Sequence, residues 1–332
     1  LKTLTDGEGK VIDSIEDIEA IGHRAVHGGE EFSGSVLVTD KVIEVMKKLI
    51  PLAPLHNPAN IMGMEICQEL MPGKPNVAVF DTAFHQTMPD YAYMYPLPYE
   101  QYTKHGIRKY GFHGTSHYFV SNEARNMIDK KHNTRIIVCH LGNGSSVSAV
   151  LDGKCIDTSM GLTPVQGLMM GTRSGDIGAG AIQYMMESDG LSIKEMLDML
   201  NKKSGIVGIS EKSSDLREVL EGMDAGDEKC RLAVDMIAYI IKKYVGSYAA
   251  ALDGVDALCF TGGIGENAAL IREKVCAGLD YMGLNIDPTK NNKRCGEARD
   301  ISTNGSSGRI FVIPTNEEYV IANDTYKIVK GL

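Results

Sequence analysis

The sequence has 332 residues and a net charge of −9, from 34 Lys and Arg against 43 Asp and Glu, and 43% of it is hydrophobic. That length and apolar content suit two buried cores, while an acidic chain without a basic block is a poor match for nucleic acid or an anionic membrane. No apolar run approaches the roughly 18 residues of a membrane span, and seven scattered cysteines, never spaced C-x-x-C, predict free thiols in a reducing cytoplasm. The opening LKTLTDGEGKV is expected to be an entry partway into a longer protein.

In chain order, apolar alternation predicts a first strand at 20–26, which carries His23, Arg24 and His27 and ends in Gly28-Gly29. A guanidinium at a strand terminus stands where α/β sheets keep their ligands. Thr39 or Asp40 caps a helix at 41–50, and Asn57-Pro58 opens another to about 70, with proline at the permitted first position. A strand at 77–80 ends in Asp81, a carboxylate suited to a turn, a cap or Mg2+. The stretch 84–102, crowded with Tyr, Met and Pro, predicts an irregular crossover. In FHGTSH, His113 reads as a polar site residue and His117 as structural; with no carboxylate at the expected place, zinc is rejected.

After a helix at 115–129 come strands at 136–140 and 147–150, joined through Gly142-Asn143-Gly144-Ser145-Ser146. Asn-Gly is a strong signal for a two-residue hairpin with positive φ at both central residues; equally, small residues bare their N–H groups to a phosphate. Gly171-Thr172-Arg173-Ser174-Gly175-Asp176 sets a second arginine among small residues. Helices follow at 192–201 and 227–252, the latter apolar on more than one face and expected to pack in the core and in part against a second subunit. A strand at 257–260 runs through Thr261-Gly262-Gly263-Ile264-Gly265-Glu266-Asn267 into a helix at 267–277, an arrangement fit for a nucleotide although it is neither a P-loop nor G-x-G-x-x-G. A strand at 310–313 and a helix at 317–329 close the chain, Glu317 standing at their junction as a metal carboxylate or part of an ordinary cap. The class is α/β with mixed sheets.

HRAVHGGE, PLAPLHNPAN, VFDTAFHQTMP, YGFHGTSH, HLGNGSS, DTSMG with GLMMGTRSGD, FTGGIGEN and PTNEE occur in order across essentially the whole chain, and together they resemble the acetokinase family of short-chain carboxylate kinases. The resemblance implies the fold of the actin, hexokinase and Hsp70-like superfamily: two ribonuclease H-like lobes with mixed sheets around a nucleotide cleft, the first being 1–82 plus 316–332 and the second 83–315. It implies ATP and acetate as substrates, acetyl phosphate and ADP as products, Mg2+ as cofactor, and a homodimer. A propionate or other short-chain acyl kinase, a truncated inactive nucleotide-binding chain, and a nucleotide switch of the chaperone or cytoskeletal kind are the alternatives.

Residue by residue, the resemblance gives Arg24 and Arg173 as substrate and transition-state arginines, His113 as the active-site histidine and Asp81 as the essential aspartate. Val26, Leu55, Phe112 and Pro164 match the pocket for the acetate methyl. His140, Asn143 and Gly144 match the phosphate side of the nucleotide site; Asp215, Leu216, Arg217, Gly263, Ile264 and Asn267 match its adenosine side, and Glu317 the Mg2+ glutamate. The family's first strand and its Asn-x-Gly-Ser-Ser-Ser-x-Lys turn are expected before Leu1.

Overall fold

The computed structural model describes residues 2–54, 56–128 and 130–331, so the expected pocket residue Leu55 and the expected helix end Asp129 lie outside the described residues. The chain forms two compact units, Leu1–Gln86 with Asn316–Leu332, and Thr87–Thr315.

In the first unit, β1 (Ile21–Ala25), β2 (Val36–Leu37) and β3 (Asn76–Phe80) form a sheet in the order β1-β3-β2. β1 runs parallel to β3, with Arg24 opposite Val79, and β2 runs antiparallel to it. Every residue of β3 is buried, as a central strand covered on both faces requires. Helices Asp40–Lys48 and Asn57–Leu70 supply Ile43, Met46, Ile61 and Met64 to a core that includes Phe32 stacked on Phe80. The C-terminal helix Glu317–Lys330 lies so close to β1 that a Cβ on Gly22 would fall 2.6 Å from both Ile321 Cγ2 and Thr325 Oγ1.

The second unit is built on β4 (Arg135–Leu141), β5 (Ser145–Leu151), β6 (Lys154–Thr158), β7 (Ala257–Thr261), β8 (Arg299–Asp300) and β9 (Arg309–Val312), in the order β6-β5-β4-β7-β9-β8. β4 to β6 make an antiparallel meander, whereas β7 and β9 run parallel to β4. A meander followed by two parallel strands on the side of its first strand is the ribonuclease H-like order. The helix Glu228–Ala251 fills one face, burying a stripe from Cys230 to Ala249 against the sheet.

Several elements differ from expectation. The stretch 84–102 carries short helices, Asp90–Tyr93 immediately after Pro89 and Glu100–His105 two residues after Pro98, so its prolines start helices as well as breaking them. The expected helix at 267–277 is two: Gly262–Asn267 begins directly at the end of β7, and Ala269–Cys276 follows after Ala268 leaves helical geometry. Gly262, at φ +76, makes this turn possible, since a Cβ there would strike the Leu141 carbonyl oxygen at 2.7 Å. β6 and the helices Ala179–Asp189 and Leu216–Asp224 were not expected.

The Gly22 contact makes a stability prediction. Gly22→Ala is expected to destabilise the protein by about 1–3 kcal/mol through overpacking, read as a lower urea midpoint at unchanged slope. An unchanged midpoint would show that Ile321 and Thr325 turn aside freely.

Candidate active site

In the first unit the expected site residues Arg24 and Asp81 sit where β1 and β3 end side by side. The parallel register carries Asp81 just past β3, its N–H donating to the Ala25 carbonyl at 2.9 Å. Arg24 reaches it with a fork: Nε donates to Oδ1 at 2.9 Å and Nη2 to Oδ2 at 2.6 Å. The Asp81 carboxylate is 2% exposed and the Arg24 side chain 45%, so the acid is a buried anchor for a cation that still meets solvent. The bond to Asp81, then its charge, raise the Arg24 pKa against the opposing effect of burial, with a smaller contribution from Glu317. Glu317 opens the C-terminal helix, whose cap is Asn316 accepting from the Tyr319 N–H at 2.9 Å.

Two amides that the motif reading passed over hold the segment after β1. Asn60 accepts from the Val26 N–H at 3.1 Å and donates to the Arg24 carbonyl at 3.3 Å. Asn57, fully buried, accepts from the His27 N–H at 3.3 Å and donates to its carbonyl at 3.1 Å. The sequence signals were Asn57-Pro58, read as a helix start, and the motif PLAPLHNPAN, to which no role for either amide was attached. His27 is itself buried, and its Nδ1 accepts from the Gly29 N–H at 3.1 Å. Burial pushes its pKa down from 6.5 to about 4, so the ring is neutral.

In the second unit, β4 ends with His140 and Leu141, and Gly142 to Gly144 lead into β5. The turn is not the expected two-residue hairpin: neither Asn143 nor Gly144 has positive φ, and three residues separate the strands. Ser145 Oγ closes it, accepting from the Gly142 N–H at 3.2 Å and donating to the Gly142 carbonyl at 2.9 Å. A Cβ at Gly144 would lie 3.5 Å from both Arg173 Nη1 and His113 Nε2, so the two side chains converge on the turn. Arg173 Nη1 donates to the Pro164 carbonyl at 3.2 Å, and the side chain has no carboxylate partner among the described residues. Burial alone accounts for its lowered pKa.

His113 is the cap of helix Gly114–Met127 in left-handed backbone, φ 58, unusual for a side-chain-bearing residue. Its ring stacks on His140 at 4.3 Å, and Nδ1 is 2.9 Å from Ser146 Oγ. Phe112 beside it is buried. Val26 lies in the first unit, whereas Phe112 and Pro164 lie in the second.

Asp215 caps helix Leu216–Asp224 and pairs with the exposed Arg217, Nη2 to Oδ2 at 2.6 Å. The Arg217 side chain, then its backbone N–H, hold the Asp215 carboxyl down at about 2. Leu216 points into the core at 5% exposure, so only its backbone can face a ligand. At Gly262–Asn267 the Gly263 Cβ position is open, and Asn267 Nδ2 donates to the Gly263 carbonyl at 2.9 Å. The buried Arg272 ties down this short helix, donating from Nη1 to the carbonyls of Gly265 at 2.7 Å and Glu266 at 3.0 Å.

The sequence model of the Acetokinase family matches residues 1–323. An acetate kinase of Thermoanaerobacterium thermosaccharolyticum is 54% identical, the alignment covering 100% of this chain and 83% of that protein. One of Methanosarcina mazei is 53% identical over 99% of this chain and 80% of its own length. Among solved structures, the acetate kinase of Porphyromonas gingivalis superposes with a TM-score of 0.95 at 50% identity, covering 99% of this chain and 82% of that one. A propionate kinase from Francisella tularensis superposes at 0.90 with 49% identity, covering 95% and 80%.

The buried His27 predicts an acid-sensitive fold. Its pKa is depressed on folding, so below pH 6.5 the unfolded chain binds a proton that the folded chain refuses, and stability falls until about pH 4. The shift corresponds to about 3 kcal/mol. Urea unfolding at pH 7 and pH 4.5 is expected to show a smaller loss in His27→Gln than in the parent; equal losses would remove His27 as the cause.

Proposed function

Because the chain belongs to the acetokinase family, we propose that it catalyses reversible transfer of the γ-phosphoryl group of ATP to acetate, giving acetyl phosphate and ADP. The observation that carries this reading is the convergence of Arg173 and His113 on Gly144: a half-buried guanidinium with no carboxylate partner among the described residues, beside a ring nitrogen and a turn of small residues, is arranged for a multiply charged oxyanion. The acceptor needs no general base, since a carboxylate is already ionised at neutral pH. Positioning and charge therefore do the work.

Arg24 spends Nε and one Nη2 hydrogen on Asp81, and its remaining edge, Nη1 with the other Nη2 hydrogen, suits the two oxygens of acetate. Asp81 thus orients the arginine and does not abstract a proton. In the first unit Val26 is proposed to contact the methyl group; Phe112 and Pro164 carry the same motif match in the second unit. Arg173, as a cation, and His113, as a hydrogen-bond donor, stabilise the charge on the equatorial oxygens as the phosphoryl group passes from the ADP oxygen to the carboxylate oxygen. His140, Asn143 and Gly144 serve the phosphates, and Asp215, Arg217, the Leu216 backbone, Gly263, Ile264 and Asn267 serve the adenosine.

Among the described residues no three His, Cys, Asp or Glu side chains gather into a metal-binding group. Mg2+ needs no such group, since it uses one or two carboxylates and completes its shell with water and substrate phosphate. Glu317, electrostatically coupled to Arg24 and at the start of a helix, is the residue proposed to hold it. When bound, the ion supplies positive charge to the phosphate oxygens.

Among the described residues no helix is long and apolar enough to cross a membrane. A cytoplasmic site of action is supported by seven free thiols. A homodimer is supported by helix Ala179–Asp189, which has no buried residue, and by exposed Ile177, Tyr184, Ile193 and Leu197 around it.

Acetyl phosphate trapped with hydroxylamine tests the reaction, with acetate, propionate and butyrate compared as acceptors; no acyl phosphate from any of them would end the proposal. Arg173→Lys is expected to lower kcat by roughly a hundredfold, about 3 kcal/mol, with ATP affinity little changed, because a point cation cannot replace a planar fork. Wild-type turnover in that variant would remove Arg173 from the transition state. Val26→Ala is expected to shift kcat/KM toward propionate by about tenfold to a few hundredfold, the worth of one methylene in an apolar pocket; an unchanged ratio would place the methyl pocket elsewhere.

A further inference from the structure

Ser146 stands between two histidines. Its Oγ is 2.9 Å from His113 Nδ1 and 2.7 Å from His117 Nε2, and both Ser146 and His117 are fully buried. A hydroxyl has one proton; accepting from both rings would leave that buried proton without an acceptor among the described residues, so Ser146 donates to one nitrogen and accepts an N–H from the other. Two directions satisfy that rule. In the first, His117 Nε2–H donates to Ser146, Ser146 donates to His113 Nδ1, and His113 keeps its proton on Nε2. In the second, His113 Nδ1–H donates to Ser146, which donates to His117; His113 Nε2 is then either a bare lone pair or part of an imidazolium.

The surroundings of His113 choose between them. Its Nε2 flanks the same Gly144 position as Arg173 Nη1, each 3.5 Å from where a Cβ would stand. A bare lone pair there would face the oxyanion and repel it. An imidazolium would put a second cation beside Arg173 and against the face of His140, stacked at 4.3 Å with the ring planes 27° apart. Only the neutral Nε2–H form offers a donor without an added charge.

We infer that Ser146 and His117 are positioning residues that fix His113 as its neutral Nε2–H tautomer, so that the ring acts on the transferring phosphoryl group as a fixed hydrogen-bond donor. The inference rests on the reading of His113 in the reaction proposed above. It makes the buried His117, read from the sequence as structural, the far end of a three-residue chain that sets the direction of a catalytic hydrogen bond.

Protein carrying isotope-labelled histidine, observed by long-range proton–nitrogen correlation at neutral pH, tests this directly, with His113 assigned by its loss in His113→Asn. The expected spectrum has His113 Nδ1 bare and Nε2 protonated. Ser146→Ala is expected to mix the two tautomers and lower kcat about tenfold, the worth of one hydrogen bond, with little change in KM for ATP, and Ser146→Thr to restore both. A protonated His113 Nδ1 in the parent protein, or a single Nε2–H form persisting in Ser146→Ala, would overturn the inference. If Ser146→Ala does not fold, the parent spectrum still decides. The spectrum does not depend on turnover, so absence of acetyl phosphate formation would sink the reaction and leave the tautomer assignment to be judged on its own.

Discussion

Asn143 and Gly171 share one side-chain space. A Cβ on Gly171 would fall 1.8 Å from Asn143 Oδ1, and the Gly171 N–H donates to the Asn143 carbonyl at 3.1 Å. This contact seats the loop that carries Arg173 directly on the turn after β4. On its other side the same loop turns three carbonyls toward the start of helix Gly205–Ser210: Met170 accepts from Ile206 at 2.8 Å, Gly171 from Val207 at 3.0 Å and Thr172 from Ser204 at 3.0 Å. With its backbone bonded on two sides, the loop has little freedom beyond the Arg173 rotamer, and Pro164 takes up part of that. Preorganisation of this kind lets a charge act without first being moved into place.

The first unit solves a similar problem with side chains. β1 ends at Ala25, yet the backbone of Val26 and His27 has to be held if Arg24 is to be aimed. Asn57 and Asn60, three positions apart in the first turn of one helix, project from it together and supply the hydrogen bonds a neighbouring strand would have given. Asp81 then fixes the guanidinium itself. The strand end, the amides and the carboxylate form one connected polar set, and a buried set of this kind is stable because its members are bonded to one another.

What the sequence made legible follows the range of the forces involved. The six principal strands were readable because each is a short apolar run, as in NVAVF and RIIVCHL, or an apolar alternation, as in IGHRA, whose burial is local in origin. β6 was not, since KCIDT alternates weakly and gains its place from pairing with β5. Helix Ala179–Asp189 was missed because AGAIQYMMESD has no polar face set against a buried one. The arginines, His113 and the glycine turns stood out through their motifs. The amide clamp did not, because Asn57 and Asn60 bond to residues 30 and 34 positions earlier, and no spacing rule links such pairs. The turn at Gly142 to Gly144 was located correctly and its geometry misread, since Asn143 gives its carbonyl to Gly171, a partner outside the hairpin.

The two arginines are held in opposite electrostatic states, and that contrast is the basis of the division of labour proposed for them. Arg24 is forked to a buried carboxylate, so the pair carries little net charge and presents a ligand with geometry more than field. It suits the step that orients an acceptor whose charge is already in place before reaction. Arg173 is anchored by a carbonyl and has no carboxylate near it among the described residues; burial works against its charge, which is why its pKa falls while that of Arg24 rises. A desolvated, uncompensated cation gains most when negative charge arrives or accumulates beside it, because no resident anion must first be displaced. Exchanging the two environments would weaken both proposed roles: a paired Arg173 would have its field cancelled, and an unpaired Arg24 would lose the carboxylate that fixes its direction.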